Sequence, residues 1–158
     1  LHVEGTDSIH YDYTSVLLRR GGQLMTGYTM GITSERSPGP QIELIYLDRL
    51  YVRAPVGQVL SGFTLMHRED SMWYNCMYSQ MMVGKVKFSY RESDVQRSVT
   101  EWSDGASQQN ISKLDKHNVR APEGHLLVGF RLLGDGAGRI HYDFWHFPAS
   151  AMVPDQYV

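Results

Sequence analysis

The chain has 158 residues, 42% of them hydrophobic and 20% charged, which fits one compact domain with its own core and excludes a disordered polymer. Fifteen Lys plus Arg against seventeen Asp plus Glu leave a formal charge of −2, so no basic field exists to hold a phosphate backbone and nucleic acid is not an expected partner. The single cysteine, Cys76, excludes an intrachain disulfide and a Cys-rich zinc cluster, and no apolar run approaches the roughly 20 residues that span a bilayer, so a membrane role would be peripheral.

The chain starts at Leu1, and His2 to Asp7 has neither the basic start nor the apolar middle of a signal peptide. A processed start of this kind, with few lysines, fits secretion, and an extracellular location is expected. Fifteen glycines, six prolines and ten tyrosines argue against long helices, which avoid glycine and proline. Short alternating runs bounded by turn residues recur instead, the pattern of strands.

In chain order, Ile9-His10-Tyr11-Asp12-Tyr13 reads as a strand with no upstream partner in the repeat, expected to pair with the C-terminal segment or with strands lost upstream. Gly22 to Met30 reads as a second strand, and beyond Ser37-Pro38-Gly39-Pro40 the run Ile42 to Tyr46 is expected to be its hairpin partner. Val52-Arg53-Ala54-Pro55 approaches the strand from Gly57 to Leu65, which is followed by Met72-Trp73-Tyr74-Asn75-Cys76. Between Val83 and Asn110 the pattern breaks. There Val86, Phe88 and Tyr90 alternate with polar residues as in a half-exposed strand, and Ser103 to Ser107 reads as a turn. Val119-Arg120-Ala121-Pro122 then approaches the strand from Gly124 to Leu132, followed by Ile140-His141-Tyr142-Asp143-Phe144.

These segments form an internal repeat. Those beginning at Gly22, Gly57 and Gly124 agree as Gly-(Gln/His)-apolar-apolar-x-Gly-aromatic-x-apolar, and the second strand follows the later two at nearly constant distance. Each unit is therefore a hairpin entered through a proline or glycine corner. The period of two places Tyr11, Tyr74 and Tyr142 on the inner face, together with Cys76, a buried inert thiol on this reading. The opposite face carries His10/Asp12, Trp73/Asn75 and His141/Asp143, each a ring beside a hydrogen-bonding group. Rings cover the apolar faces of sugars while carboxylates and amides satisfy hydroxyls. Turn carboxylates Asp7, Asp70 and Asp135 precede the same strands. The expected ligand-binding residues are thus Asp7, His10, Asp70, Trp73, Asp135 and His141, with Val83 to Asn110 outside the site.

No catalytic site is expected. There is no Gly-x-Ser-x-Gly elbow, phosphate loop or dinucleotide fingerprint. His141 and His146 stand five apart, which in a strand puts their rings on opposite faces, so no metal set and no cofactor is read either.

The unit resembles repeats of several extracellular families. Pro55-Val56-Gly57 leading to Gly62-Phe63-Thr64-Leu65 is similar to the vitelline membrane outer layer protein family, Ser71 to Met77 resembles an aromatic-rich strand of the dermatopontin family, and Val86 to Tyr90 is similar to strands of jacalin-related lectins. The first and third imply a β-prism. The disulfides typical of the first two are absent, and Gly134-Asp135-Gly136 only hints at the jacalin-like sugar loop.

The expected architecture is one all-β domain over residues 1–158, built of repeated hairpins, with a pseudo-threefold β-prism favoured over barrel or sandwich. The expected function is non-catalytic recognition of glycans or glycoproteins, with homo-oligomerisation as a source of avidity. The alternatives are an extracellular matrix or coat protein of dermatopontin-like type, and the membrane-targeting β-module of a larger pore-forming chain.

Overall fold

A computed structural model describes residues 2–4, 8–10, 18–33, 37–38, 44–68, 71–105 and 117–158. Asp7, Asp70, Tyr11 and Asp12 lie outside the described residues, and His10 is described by its backbone alone. Among the described residues every strand pairing is antiparallel, no α-helix occurs and no sheet closes into a barrel.

The first strands, β1 (His2–Glu4) and β2 (Ser8–His10), pair with each other. Among the described residues, the start of the N-terminal repeat strand finds its partner immediately upstream. β3 (Arg19–Arg20) and β4 (Gln23–Leu24) form a ribbon, closed by Gly21 and Gly22, both at positive φ, as a two-residue hairpin turn demands. The Arg20 guanidinium ties this ribbon to the C-terminal segment by donating to the carbonyls of Ala149, Ser150 and Met152.

β5 (Thr26–Thr33) and β6 (Ser37–Pro38) do not build a hairpin with the segment C-terminal to them. Leu44–Arg49, expected to be strand in its first residues, is a 3₁₀ helix. Its three-residue period, carried through to Leu50, puts the buried Leu47 and Leu50 on one side, with the Leu50 N–H donating to the Leu47 carbonyl. β7 (Val52–Arg53) comes next and pairs with a strand of the third repeat.

The second hairpin is β8 (Val59–Arg68) and β9 (Ser71–Val83). β9 is the centre of its sheet: β5 lies along one edge with β6, while β8 and β10 (Val86–Ser89) share the other. After β11 (Gln96–Val99) and β12 (Ser103–Asp104), the third hairpin is β13 (His125–Gly134) and β14 (Arg139–Pro148). β14 is likewise central, between β13 and the shared edge of β11 and β12, with β7 outside β13. Ser103 and Asp104, read from sequence as the start of a turn, are thus a short strand on β14. β15 (Val153–Pro154) pairs with β10.

The repeat is visible in backbone detail. Gln58 and His125 donate to the carbonyls of Pro55 and Pro122 at 2.9 and 3.0 Å, around Gly57 and Gly124 at φ +83° and +76°. These are type II turns, whose third position requires φ above zero. Four residues on, each hairpin shifts register at one residue, between Leu60 and Gly62 and between Leu127 and Gly129. Each of these two hairpins thus carries a bulge before its second glycine, bending the strand toward the core.

Equivalent residues of the two complete hairpins meet in that core. The Phe63 and Phe130 rings lie 4.8 Å apart, Tyr74 is edge-on to Phe130 at 5.1 Å, and the Tyr74 and Tyr142 hydroxyls are 3.4 Å apart. Tyr74 and Tyr142 are buried as their strand parity requires. Cys76 is buried among them, and burial pushes its thiol above the usual range. Tyr90 stacks on Phe147 at 4.0 Å; burial raises its phenol to about 12.

Tyr74→Ala should cost on the order of 3 kcal/mol in denaturant unfolding. The two bulge glycines make a sharper test. A Cβ on Gly129 would collide with the Val52 carbonyl and come within 3.0 Å of Arg53 Cα, whereas one on Gly62 meets the methyl end of exposed Met77. Gly129→Ala should therefore lose about 2–3 kcal/mol, and Gly62→Ala should stay within about 1 kcal/mol of wild type.

Candidate functional site

β14 alternates as the period of two demands. Ile140, Tyr142 and Phe144 enter the core, and His141 and Asp143 face the other way. That second face is covered. The Trp102 ring lies flat on His141, with centroids 3.8 Å apart and planes within 5°. Asp143 Oδ2 accepts from Arg97 Nε at 2.8 Å and Nη2 at 2.7 Å, while Oδ1 lies 3.3 Å from His141 Nε2 without hydrogen-bond alignment. His141 and Asp143 are therefore buried, not solvent-facing.

The row continues upward. The Arg139 guanidinium carbon lies 5.6 Å from the Trp102 centroid, and Arg139 Nε donates to Asp135 Oδ2 at 2.6 Å. Asp135 Oδ1 accepts from the Ala137 and Arg139 backbone N–H groups. These bonds, that from the Arg139 side chain foremost, hold the Asp135 carboxyl below its usual range. Asp135, Arg139, Trp102, His141, Asp143 and Arg97 thus form one line in which two ion pairs flank a stacked pair of rings.

Trp102 is 40% exposed and forms the wall of an open cleft of about 460 Å³ with Glu101, Ser103, Asp104 and Arg139. Behind it, buried His117 is held at both nitrogens: Nε2 lies 2.7 Å from Ser103 Oγ and Nδ1 lies 2.9 Å from Thr100 Oγ1. Thr100 Oγ1 in turn accepts from the Tyr142 backbone N–H at 2.8 Å. The other buried histidine of β14, His146, lies 2.8 Å from Ser98 Oγ and 2.8 Å, Nδ1 to Nδ1, from His125.

Two residues expected from sequence, Asp135 and His141, meet at this cleft, one bracing Arg139 and the other backing Trp102. Trp73 is only 7% exposed and stands outside the core cluster, so its ring is not a free stacking surface. Asp7 and Asp70 lie outside the described residues, as does the side chain of His10. The walls of the cleft, Glu101 to Asp104, come from the region set apart because it departs from the repeat. Trp102 was missed for that reason, and Arg139 and His117, outside that region, were not read as site residues. The readable signal was the His141/Asp143 pair, a polar face that a neighbouring strand had to cover. Among the described residues no three His, Cys, Asp or Glu side chains converge as a metal-ligand set, and no helix is long and apolar enough to cross a membrane.

Comparison with protein family models, with curated proteins and with solved structures finds no match to this chain.

This packing has two measurable outcomes. Burial, and then the neighbouring His125, hold His146 below its ordinary value, so the unfolded chain binds the proton first as pH falls. The stability this contributes is complete above the ordinary histidine value near 6.5 and is lost below it, by at most about 1.4 kcal/mol per pH unit. Thermal midpoints between pH 7.5 and 5 should fall, and His146→Gln should flatten that slope. Trp73→Ala should cost about 3 kcal/mol in chemical denaturation, the loss of a buried ring.

Proposed function

We propose that this domain recognises carbohydrate at the Trp102 cleft, without cleaving the glycosidic bond. The observation that carries the reading is the exposed Trp102 ring, fixed from behind by His141 and flanked by Glu101, Asp104 and Arg139. An indole face covers the C–H face of a pyranose, and carboxylate and guanidinium groups take its hydroxyls. Stacking on His141 fixes the ring in advance, so little ordering entropy is lost on binding. The natural partners on this reading are extracellular glycans or glycoproteins, and assembly of several copies would raise avidity.

A pseudo-threefold β-prism is part of the same proposal. Its support is the repeated turn and bulge, and the contact of Phe63 with Phe130 and of Tyr74 with Tyr142, which equivalent residues make only near a local rotation axis.

A specific observation favours a second reading, a membrane-apposed module of a larger chain. Val56, Tyr157 and Val158 are 69%, 63% and 50% exposed. Gly57 abuts Ser89 of β10, and Arg91, just beyond that strand, donates to the Tyr157 carbonyl, so these apolar groups project from neighbouring parts of the surface.

A glycan array with competition by a simple sugar tests the first reading. Trp102→Ala should weaken the best hit at least tenfold, about 1.4 kcal/mol, in calorimetry. Unchanged affinity in the folded variant would move the site. Flotation with liposomes, with no sugar hit, would favour the second reading.

A further inference from the structure

We infer that the sugar taken at the Trp102 cleft carries a free, protonated amino group, as the unacetylated 2-amino-2-deoxyhexoses of a glucosamine chain do. The inference rests on the recognition reading and names its ligand class. Arg139 stands directly across from Asp104 in the pairing of β12 with β14, where opposite charges would pair. Its guanidinium turns instead to Asp135, with Nε 2.6 Å from Oδ2. The same carboxylate accepts the Ala137 and Arg139 backbone N–H groups, so the charge of Arg139 is matched without Asp104. Among the described residues no cation pairs with Asp104 or with Glu101, and both are exposed. The cleft is therefore left with two unmatched carboxylates beside an indole that is 40% exposed.

A neutral pyranose leaves those charges unanswered. An acidic one, a uronic acid or a sulfated sugar, meets like charge there and is rejected. A 2-amino sugar answers them. Its C–H face covers the indole, while the ammonium on the rim of the same ring donates to a carboxylate in a charge-assisted hydrogen bond. The π face adds its own attraction for a cation. N-acetylation removes that charge and leaves a single amide N–H as donor. A lysine side chain also carries an ammonium, but aromatic sites for alkylammonium groups enclose them in a cage of rings. Here one flat ring faces an open cleft of about 460 Å³, a shape that suits a flat pyranose within a chain. His141 backs the indole with centroids 3.8 Å apart, so the stacking surface is fixed before the sugar arrives.

The test is calorimetry on the whole protein with glucosamine, N-acetylglucosamine and glucose tetramers of the same linkage. The glucosamine tetramer, with its amines protonated, should bind at least about tenfold more tightly than either of the others. The preference should shrink with added salt and as rising pH discharges the amines. Replacing both carboxylates, Glu101→Gln with Asp104→Asn, should reduce it to about threefold or less, with thermal unfolding as the check on the fold. Where the double variant does not fold, the ranking of the three tetramers by the wild type decides. Equal affinity for the three, or a preference for the acetylated one, overturns the inference and leaves the recognition reading standing. A preference that survives the double substitution in folded protein overturns it as well, because the ammonium is then read elsewhere. So does tetralysine binding as tightly as the glucosamine tetramer, because charge alone is then read. Binding to none of the tetramers also overturns it, and the recognition reading falls with it only if the glycan array is empty too.

Discussion

The contact of Phe63 with Phe130 is the constraint on which the rest of the structure depends. Each ring stands directly after the bulge glycine of its own hairpin, so the two rings can meet only if both strands bend inward there. Once they meet, Tyr74 and Tyr142 on the central strands come together behind them. Edge-on aromatic pairs of this kind add about 0.5–1.5 kcal/mol each beyond the area they bury. Without disulfides, this cluster is what binds the two larger sheets to each other.

The close approach at Gly129 is the second consequence. With no side chain at that position, the backbone of β7 lies directly against β13, and the Ala54 N–H reaches the carbonyl of Val128 at 2.7 Å. The segment leading into the second repeat is thereby paired with the third. The two approach segments, nearly identical in sequence, have different fates: Val52–Arg53 is a strand, and Val119–Arg120 is not. Packing of Arg53 beneath Trp145, and its ion pair with Glu92 at 2.8 Å, belong to the first alone.

The outer face of β14 shows how a repeat acquires a site. In the second unit the corresponding face holds a buried Trp73. In the third it holds His141, which is small enough to accept Trp102 flat upon it, with the indole still 40% exposed. The segment of β11 and β12, absent from the repeat, brings that indole beside the carboxylates of Glu101 and Asp104. The chemistry thus lies where symmetry is broken, because identical units provide the scaffold and only an unrepeated segment can add different side chains to one of them.

The two later hairpins, the inward Tyr74 and Tyr142 and the buried cysteine were legible in the linear sequence, because strand parity and turn chemistry are local. A side chain's face depends on its neighbours two residues away, and a type II turn on its glycine. Partners along a sheet edge are not local. That β5 would join β9, that Leu44–Arg49 would wind into a 3₁₀ helix and that Trp102 would cover His141 depended on contacts between residues far apart in the chain. The same holds for the cleft. Asp135 and His141 were readable as repeat positions, but Trp102 gains its role only through what lies across from it, and only the tertiary fold supplies that.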